Sequence, residues 1–529
     1  MYLTTFEEWL NWIEDDKNTV LPFVKRIDYA NNRDMLKVAS WEEVWQKAAP
    51  ESFVLESGKG GRYTFIGMQP KSVIRGTIEE ADVWNATSSN KLQLPPLEAI
   101  KHWMKPYHAP KVKEAPKFIG GCVGFLGYDV IRSLEKLPMQ AKRDVEIPDY
   151  VFGLYDQIWI IDHQEAALFV AVHTEVTPDL VDNKLELLRL AYDQAELQAL
   201  RMVDQWNEII HSSYGQQQRQ ERDELLKSGA LVESGQLDVD LESMKGLTRA
   251  FSRADFEHAV QRIQHYIAQG DVFQVNLSVR QSCELKSDAE CIYEWLRIIN
   301  PSPYMGLLRF QDFALVSASP ELLVQREDRV LRTRPIAGTR PRGANAEEDQ
   351  RLADELINNE KERAEHVMLV DLERNDLGRI SAYGTVRVDE FMVIEYYSHV
   401  MHIVTQIEGI LANDKDSYDA IAATFPGGTI TGAPKVRTME IIEELEPVGR
   451  GPYTGSMGWI DYNGDMEFNI IIRTLVECQG KGYVQAGAGI VIDSVPAKEY
   501  TESLNKAKAV WKAIRYSELM NSRVKNEAF

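Results

Sequence analysis

The chain has 529 residues, of which 44% are apolar and 26% charged, a balance typical of a globular protein with a large core. Its net charge of −22 argues against a nucleic-acid partner or an anionic membrane surface, because phosphates would be repelled. The four cysteines lack zinc-site spacing, the N-terminus is not signal-like, and no apolar run is long enough to span a bilayer. We therefore expect a soluble cytoplasmic protein with reduced thiols.

In chain order, the hydrophobic pattern divides the sequence into three regions. Residues 1–177 begin with helical spacing and continue as short β segments, residues 178–245 are helical and then polar, and residues 246–520 alternate helices with strands. The polar stretch 215–245 is the best linker candidate. Hairpins occur beside crossovers, so we expect a mixed α/β (α+β) fold with large antiparallel sheets.

Residues 361–379 predict a helix that is buried on one side and offers two carboxylates on the other. The run Val367-Met-Leu-Val370 suggests the buried body. Glu362 and Glu365 stand just before it, three residues apart, so both side chains leave the same helix face.

A second helix repeats this pattern near the C-terminus. Pro496 suits its first turn, and Glu499, Glu502 and Lys506 fall on one face. Four carboxylates on two helices can hold one hard cation such as Mg²⁺, two directly and two through water. The alternative is two exposed faces, which would be the better interpretation for either glutamate pair alone.

Two glycine-rich segments are candidate anion sites. The strand around Gly487 and Gly489 leaves backbone N–H groups open to an anion. The loop 425–435 superficially resembles a phosphate loop, but Ala-Pro follows Gly432 instead of Lys-Ser/Thr, so a nucleotide site is not predicted. Its Thr429 and Thr431 are candidate donors to a carboxylate, and simple helix capping is the alternative.

Other chemistry-bearing residues are ambiguous on the pattern alone. His402 lies on a predicted strand, where a core histidine is the commoner interpretation. Tyr453 and Arg473 also lie on predicted strands, and an arginine buried there requires a partner. The cation-rich turn 334–343 would counter an anion, or it is a solvated loop.

Four motifs together make the chain resemble the chorismate-utilising enzymes, and within them the large subunit (component I) of anthranilate synthases, over nearly its whole length. The motifs are Pro335-Ile-Ala-Gly-Thr-Arg-Pro-Arg-Gly343, Glu365-His-Val-Met-Leu-Val-Asp-Leu-Glu-Arg-Asn-Asp376, Pro426-Gly-Gly-Thr-Ile-Thr-Gly-Ala-Pro-Lys435 and Ala486-Gly-Ala-Gly-Ile-Val-Ile-Asp-Ser494. The resemblance implies two large packed antiparallel sheets with helices outside. It also implies Mg²⁺-dependent conversion of chorismate and ammonia to anthranilate and pyruvate, the first committed step of tryptophan biosynthesis.

The resemblance assigns roles to specific residues. It implies Mg²⁺ on Glu365 and Glu502, with Glu362 and Glu499 behind them. Glu321 matches the residue that protonates the leaving hydroxyl, His402 the residue proposed to take the C2 proton, and Thr429 completes the catalytic set. The implied chorismate contacts are Gly338, Thr339, Tyr453, Arg473, Gly487, Ala488, Gly489 and Lys506.

Two positions discriminate among related activities. Relatives that add water carry a lysine base where this chain has Gln274, and aminodeoxychorismate synthases commonly carry a nucleophilic lysine where it has Ala337. Both absences favour anthranilate synthase. The alternatives are an aminodeoxychorismate synthase component I, a 2-amino-2-deoxyisochorismate synthase that stops at the aminated intermediate, and a non-catalytic tryptophan-binding subunit.

Regulation and a partner are also implied. Leu55-Glu-Ser57 and Asn300-Pro-Ser-Pro-Tyr-Met305 resemble a feedback site for tryptophan, which assigns the inhibitor to Glu56, Ser57, Pro303, Tyr304 and Met305. Part of that site therefore falls in region 1–177, and the chorismate site in 246–520. The chain carries no glutaminase motif, so glutamine-dependent activity requires a separate amidotransferase subunit, expected as a heterotetramer of two large and two small subunits.

Overall fold

The computed structural model describes residues 1–38, 40–58, 61–182, 184–227, 241–242, 244–397 and 400–527. Part of the predicted linker, residues 228–240 and 243, lies outside these ranges. Residues 215–227 of the predicted linker belong to a helix that covers Ser213–Lys227. Within the described ranges, no helix combines the length and the low polarity needed to cross a membrane.

The helices are α1 (Phe6–Trp12), α2 (Glu42–Lys47), α3 (Pro96–Met104), α4 (Pro178–Asp182), α5 (Lys184–Ile210), α6 (Ser213–Lys227), α7 (Arg253–Ala268), α8 (Ala289–Ile299), α9 (Ala346–Asn358), α10 (Glu360–Gly378), α11 (Ser417–Thr424), α12 (Lys435–Leu445) and α13 (Pro496–Glu527). Short 3₁₀ turns cover Arg33–Leu36, Tyr128–Ser133 and Gly428–Ile430.

The strands are β1 (Val20–Asp28), β2 (Ser52–Glu56), β3 (Tyr63–Gly67), β4 (Ser72–Gly76), β5 (Ala81–Asn85), β6 (Ser89–Leu92), β7 (Gly121–Leu126), β8 (Tyr150–Tyr155), β9 (Gln157–Asp162), β10 (Ala167–Glu175), β11 (Thr248–Arg249), β12 (Gln274–Glu284), β13 (Tyr304–Arg309), β14 (Phe313–Ser319), β15 (Leu322–Glu327), β16 (Val330–Arg334), β17 (Ile336–Pro341), β18 (Arg387–Tyr396), β19 (Val400–Ile410), β20 (Gly432–Ala433), β21 (Ser456–Asp461), β22 (Met466–Ile470), β23 (Thr474–Cys478) and β24 (Lys481–Ile490).

The described strands form two antiparallel sheets of twelve strands each, which confirms the expected mixed α/β fold. The first sheet runs β1-β10-β9-β3-β2-β13-β14-β23-β24-β12-β11, with β20 also on β12. The second runs β17-β19-β16-β15-β22-β21-β7-β8-β4-β5-β6, with β18 also on β19. Regions 1–177 and 246–520 each contribute strands to both sheets, and the three-part division stays a prediction.

The two sheets pack face to face through aromatic side chains, and the helices cover their outer faces. Phe125 of β7 meets Phe313 of β14 at a ring-centroid distance of 5.8 Å, edge to face, so the contact joins the two sheets. Trp511 of α13 is buried on the first sheet. Leu377 of α10 and Ile421 of α11 are buried on the second.

The chain crosses from one sheet to the other at two adjacent places. One crossing joins β14 to β15 through Glu321, and the other joins β22 to β23 through Arg473. The two crossings are bonded together, since the Ile470 N–H donates to the Glu321 carbonyl at 3.0 Å and the Ala318 N–H donates to the Arg473 carbonyl at 3.2 Å. Side chains from both sheets therefore meet at this point.

Candidate active site

Helix α10 presents Glu362 and Glu365 beside β17 and β19. The Asn359 side chain accepts from the Glu362 N–H at 3.0 Å and caps the helix, which fixes where its first turn begins. Burial and the neighbouring carboxylates of Glu362 and Glu502 raise the pKa of Glu365. Gln274 of β12 donates from Nε2 to Glu365 Oε1 at 3.5 Å.

Helix α13 brings the second glutamate pair to the same place. Glu502 pairs with Lys506 at 2.9 Å, and Lys506 Nζ donates to the Gly487 carbonyl at 3.1 Å. Burial and Glu502 raise the pKa of Glu499, while a hydrogen bond from Ser494 lowers it. The two glutamate pairs predicted from sequence are therefore electrostatic neighbours in the fold.

The chemistry of this donor set fits a hard divalent cation. Oxygen ligands from carboxylates are what Mg²⁺ prefers, and a cation would relieve the mutual repulsion that raises the pKa of Glu365. Among the described residues no three His, Cys, Asp or Glu side chains converge as a complete metal cage. Mg²⁺ bound by one or two carboxylates with water and substrate oxygens does not require such a cage.

His402 of β19 is held as a neutral base. Its Nδ1 lies 2.9 Å from the Gly338 carbonyl, which only accepts, so Nδ1 carries the proton and Nε2 has the free lone pair. The Thr339 hydroxyl also contacts Nδ1 at 3.1 Å, and the Tyr397 ring packs against the imidazole at 5.4 Å. Burial lowers the pKa of His402 to about 4.

Glu321, at the β14–β15 crossing, has the properties of a proton donor. Burial raises the pKa of its carboxyl to about 7, against the lowering effects of the Thr429 hydroxyl, Arg473 and the Ile336 N–H. Glu321 Oε1 and Thr429 Oγ1 are both buried, and although the Thr429 hydroxyl lies close enough to lower the pKa of Glu321, neither atom makes a hydrogen bond of full geometry to a described residue. Unpaired buried polar atoms are costly, so a pair of them facing one space indicates a ligand position.

Arg473, at the neighbouring crossing, is a buried cation without an ion pair among the described side chains. Its backbone is left-handed, with φ +51°, in a region that non-glycine residues seldom adopt. Burial lowers its pKa, and Glu321 opposes that shift. Since an unpaired buried charge is unfavourable, this arrangement is suited to a bound anion.

The glycines of β24 approach β12 closely, at Gly487 against backbone and at Gly489 against the flexible Gln274 side chain. A Cβ at Gly489 would lie 2.2 Å from Gln274 Nε2, and one at Gly487 would lie 2.6 Å from Asn276 Oδ1. Strand β23 pairs with β24 only as far as Val484, so the following residues have one edge without a strand partner in the described chain. Ala488 points the other way, into the apolar core, and offers only its backbone to a ligand.

The predicted acid, base and cations lie close enough to influence one another's ionisation. Arg473 and Lys506 lower the pKa values of both Glu321 and His402, and Lys506 also lowers that of Glu365. Tyr453 is buried with its ring 5.5 Å from the Arg450 guanidinium. The Thr431 hydroxyl, a candidate donor to a ligand carboxylate, donates instead to the Gly427 carbonyl at 2.9 Å and stabilises the loop.

Sequence reasoning missed some partners in this site. Tyr397, which packs on His402, follows β18 directly. The Tyr396-Tyr397 pair, close before the strand of His402, could have indicated an aromatic neighbour for this histidine. The cations of the turn 334–343 were expected to counter a ligand anion or to be solvated. Instead Arg340 pairs with Glu355 and Glu362, and Arg342 with Asp349.

A second cavity, of about 870 Å³, lies between β2, β13 and α8, and we call it the Glu56 cavity. Glu56, Ser57 and Met305 line it, and Glu56 faces Met305 across the two paired strands. Pro303 lies just before β13. Tyr304 projects to the opposite face of β13 and lines a separate cavity of about 370 Å³.

The sequence matches the family described as chorismate binding enzyme over residues 51–512. It is 47% identical to aminodeoxychorismate synthase component 1 of Bacillus subtilis, over 88% of this chain and 92% of the relative. It is 41% identical to anthranilate synthase component 1 of Acetivibrio thermocellus, over 87% of this chain and 90% of the relative. The fold is similar to that of anthranilate synthase component I from Streptococcus pneumoniae, with a TM-score of 0.68, 32% identity, and coverage of 86% of this chain and 93% of that one.

Proposed function

Because the chain belongs to the chorismate-binding enzyme family, we propose that it catalyses the Mg²⁺-dependent amination of chorismate by ammonia, with anthranilate and pyruvate as products. The observation that carries this proposal is the set of unpaired groups around one space. Glu321 and Thr429 have unbonded buried oxygens, and Arg473 is a buried cation without an ion pair among the described residues. Chorismate, a dianion with a leaving hydroxyl, supplies a partner for each.

Charge neutralisation is the first requirement, since the protein as a whole has a net charge of −22. We assign one substrate carboxylate to Arg473 and to the β24 backbone at Gly487 and Gly489. Glu365 and Glu502 would hold Mg²⁺, with Glu362 and Glu499 behind them. When bound, Mg²⁺ supplies the positive charge that lets a second carboxylate lie among these glutamates.

In the first step, ammonia attacks C2 of the ring as the C4 hydroxyl departs. The C2–N bond forms, the two ring double bonds shift from C1=C2 and C5=C6 to C1=C6 and C4=C5, and the C4–O bond breaks. Glu321 donates its proton to the departing oxygen, which leaves as water, and the resulting carboxylate takes up a proton from solvent before the next turnover. A carboxyl with a pKa of about 7 is well matched to this role near neutral pH.

In the second step, His402 removes the C2 proton of the aminated intermediate. The C2–H electron pair becomes part of the aromatic ring, and the C3–O bond breaks to release enolpyruvate, which takes up a proton at its methylene carbon to give pyruvate. The Gly338 carbonyl fixes the Nδ1–H tautomer, so that Nε2 faces the substrate as the base. The low pKa keeps His402 unprotonated throughout the physiological pH range.

A second candidate activity is aminodeoxychorismate synthesis. The 47% identity to the Bacillus subtilis aminodeoxychorismate synthase component 1 favours it, since the anthranilate synthase quoted above is 41% identical. The residue Ala337 favours anthranilate, because a side chain of one methyl cannot act as the nucleophile that a lysine provides there. A 2-amino-2-deoxyisochorismate synthase would share the first step and lack the second.

We also propose a partner and an inhibitor. A separate glutamine amidotransferase subunit would supply ammonia, in a heterotetramer of two large and two small subunits. The names of the relatives, which designate a component 1, support a second component. Tryptophan is the proposed feedback inhibitor, bound in the Glu56 cavity at Glu56, Ser57 and Met305, with Pro303 and Tyr304 on the adjoining segment.

Product identity tests the proposal. The purified chain is incubated with chorismate, Mg²⁺ and ammonium, and products are separated by chromatography and followed by anthranilate fluorescence. Anthranilate and pyruvate in equal amounts are expected, with no anthranilate when Mg²⁺ is removed by chelation. Accumulation of 4-amino-4-deoxychorismate would establish the second candidate, and isochorismate would overturn amination altogether.

A further inference from the structure

Arg450, which belongs to none of the site motifs, lies behind the candidate active site as a buried hub. Its side chain is 1% exposed and pairs with Glu446, 2% exposed, at 2.8 Å. Glu446 follows the last residue of α12, and its carboxylate also accepts from the Ser278 N–H at 2.9 Å. Burying such a pair is expensive, and apolar replacements are often no less stable, so stability alone is a weak reason for its presence.

The remaining donors of Arg450 are distributed over the segments that carry the candidate site. Nη1 donates to the Ile430 carbonyl at 2.9 Å and to Thr454 Oγ1 at 3.3 Å. Nη2 donates to the Asn276 carbonyl at 2.7 Å. The guanidinium also packs against the Tyr453 ring at 5.5 Å and the Tyr128 ring at 5.1 Å.

The three hydrogen-bonded contacts, Ile430, Thr454 and Asn276, lie near residues assigned to chorismate or to Mg²⁺. Ile430 closes the short 3₁₀ turn that presents Thr429, and no side chain caps the start of that turn. Asn276 lies on β12 two residues after Gln274, which contacts Glu365. Thr454 follows Tyr453, and its left-handed φ of +61° costs free energy and persists only because the surrounding structure enforces it.

The hub also reaches the crossing that carries Arg473. The Thr454 N–H donates to the Ile471 carbonyl at 2.8 Å, two residues before Arg473. One rigid planar cation thus links the Thr429 turn, the β12 edge and the Tyr453–Thr454 corner. Lysine cannot reproduce this, because its single ammonium lacks the planar fork of donors.

We propose that Arg450, anchored by Glu446, is a positioning residue for chorismate binding, which sets the places of Thr429 and Tyr453. It touches no substrate itself. The inference rests on the proposed function in that Thr429 and Tyr453 contact chorismate.

The test measures the affinity of the full chain for chorismate by calorimetry in the presence of Mg²⁺. Ammonia is omitted, so that no turnover occurs. Arg450→Lys should weaken binding about 10- to 100-fold, which lies within the range of interaction energies between residues of one hydrogen-bond network. The matched control is Arg132→Lys. Arg132 is also a mostly buried arginine, bonded to Asp129 at 2.9 Å, to the Pro138 carbonyl at 2.7 Å and to Glu443 of α12. This control should change affinity less than about twofold, because none of these three partners is assigned to chorismate or Mg²⁺.

A double-variant background separates positioning from general damage. In Thr429→Ala/Tyr453→Phe, Arg450→Lys should weaken binding by less than about threefold further, because the contacts it positions are already gone. An undiminished loss in that background, or an equal loss in Arg132→Lys, overturns the proposal. If Arg450→Lys does not fold, Glu446→Gln serves instead with the same criteria. Absence of chorismate binding by the wild type would overturn the proposed function and this assignment together.

Discussion

The candidate active site and the Glu56 cavity are both polar, yet they treat their polar groups in opposite ways. In the active site, Glu321 Oε1, Thr429 Oγ1 and Gln274 Oε1 are buried without partners among the described residues. In the Glu56 cavity, Glu56 accepts from the Tyr293 hydroxyl at 2.5 Å and pairs with Arg297 at 3.0 Å. The first site thus holds polar groups ready for a ligand, whereas Glu56 in the second has its charge satisfied within the protein.

The difference predicts what substitutions do in each place. Removing an unpaired active-site group takes away function and relieves a desolvation cost, so stability should hold or rise. Removing one member of a paired set leaves the other buried and unsatisfied, so stability should fall while the chemistry continues. Three substitutions test this contrast.

Glu321→Gln should have the largest effect on turnover. The isosteric amide cannot donate a proton to the C4 hydroxyl, so kcat should fall by about 10²- to 10⁴-fold, the usual contribution of a general acid. The melting temperature should stay equal or rise, since a buried titratable carboxyl has been neutralised. Steady-state kinetics and calorimetric melting check both halves. Retention of wild-type kcat would remove Glu321 from the mechanism.

The pH profile provides an independent check on Glu321. The pKa is raised to about 7 by burial, so the protonated fraction of the free enzyme is high below pH 7 and falls as pH rises through 7. With free ammonia held constant, kcat/KM for chorismate should therefore decline on the alkaline side, and Glu321→Gln should lose that limb. His402, with a pKa of about 4, should give no acid limb above pH 5.

His402→Gln should have a smaller and more selective effect. Amination should continue while loss of the C2 proton slows, so the aminated intermediate should accumulate and anthranilate formation should fall by about 10²-fold. Chromatography of the reaction mixture distinguishes the intermediate from both products. Tyr397→Phe is the control, because it keeps the ring that packs on His402 and removes only a hydroxyl bonded to Glu395. Equal loss of both steps in His402→Gln would reject its assignment to elimination alone.

The sequence predicted local elements well because their signals are local. The helix expected over 361–379 runs from Glu360 to Gly378, and the second begins at Pro496 as predicted. The expected buried body was partly wrong, since Val367 is 47% exposed. The buried stripe has helical spacing and includes charged residues, so a continuous apolar run was a poorer guide than periodicity. It consists of His366, Leu369, Val370, Glu373, Asp376 and Leu377.

Long-range pairing could not be predicted in this way. Glu321 and Arg473 are neighbours because two chain crossings between sheets run side by side, and nothing in the residues near either position records that. The partners of Glu56, Tyr293 and Arg297, lie in a helix far along the chain. The site residues themselves came from motif resemblance, and the geometry that relates them required the fold.

Glu56→Gln should have the smallest effect on turnover and a clear effect on stability. It removes the charge that Arg297 and the Tyr293 hydroxyl share, so the free energy of unfolding should fall by about 1–3 kcal/mol while kcat stays at the wild-type value. Ser57→Ala, in the same cavity, should change stability by no more than about 0.5 kcal/mol. Denaturant unfolding and steady-state kinetics on the three proteins measure both quantities. A Glu56→Gln protein that keeps its stability but loses turnover would contradict this contrast. Glu56 would then contribute to catalysis and not to stability.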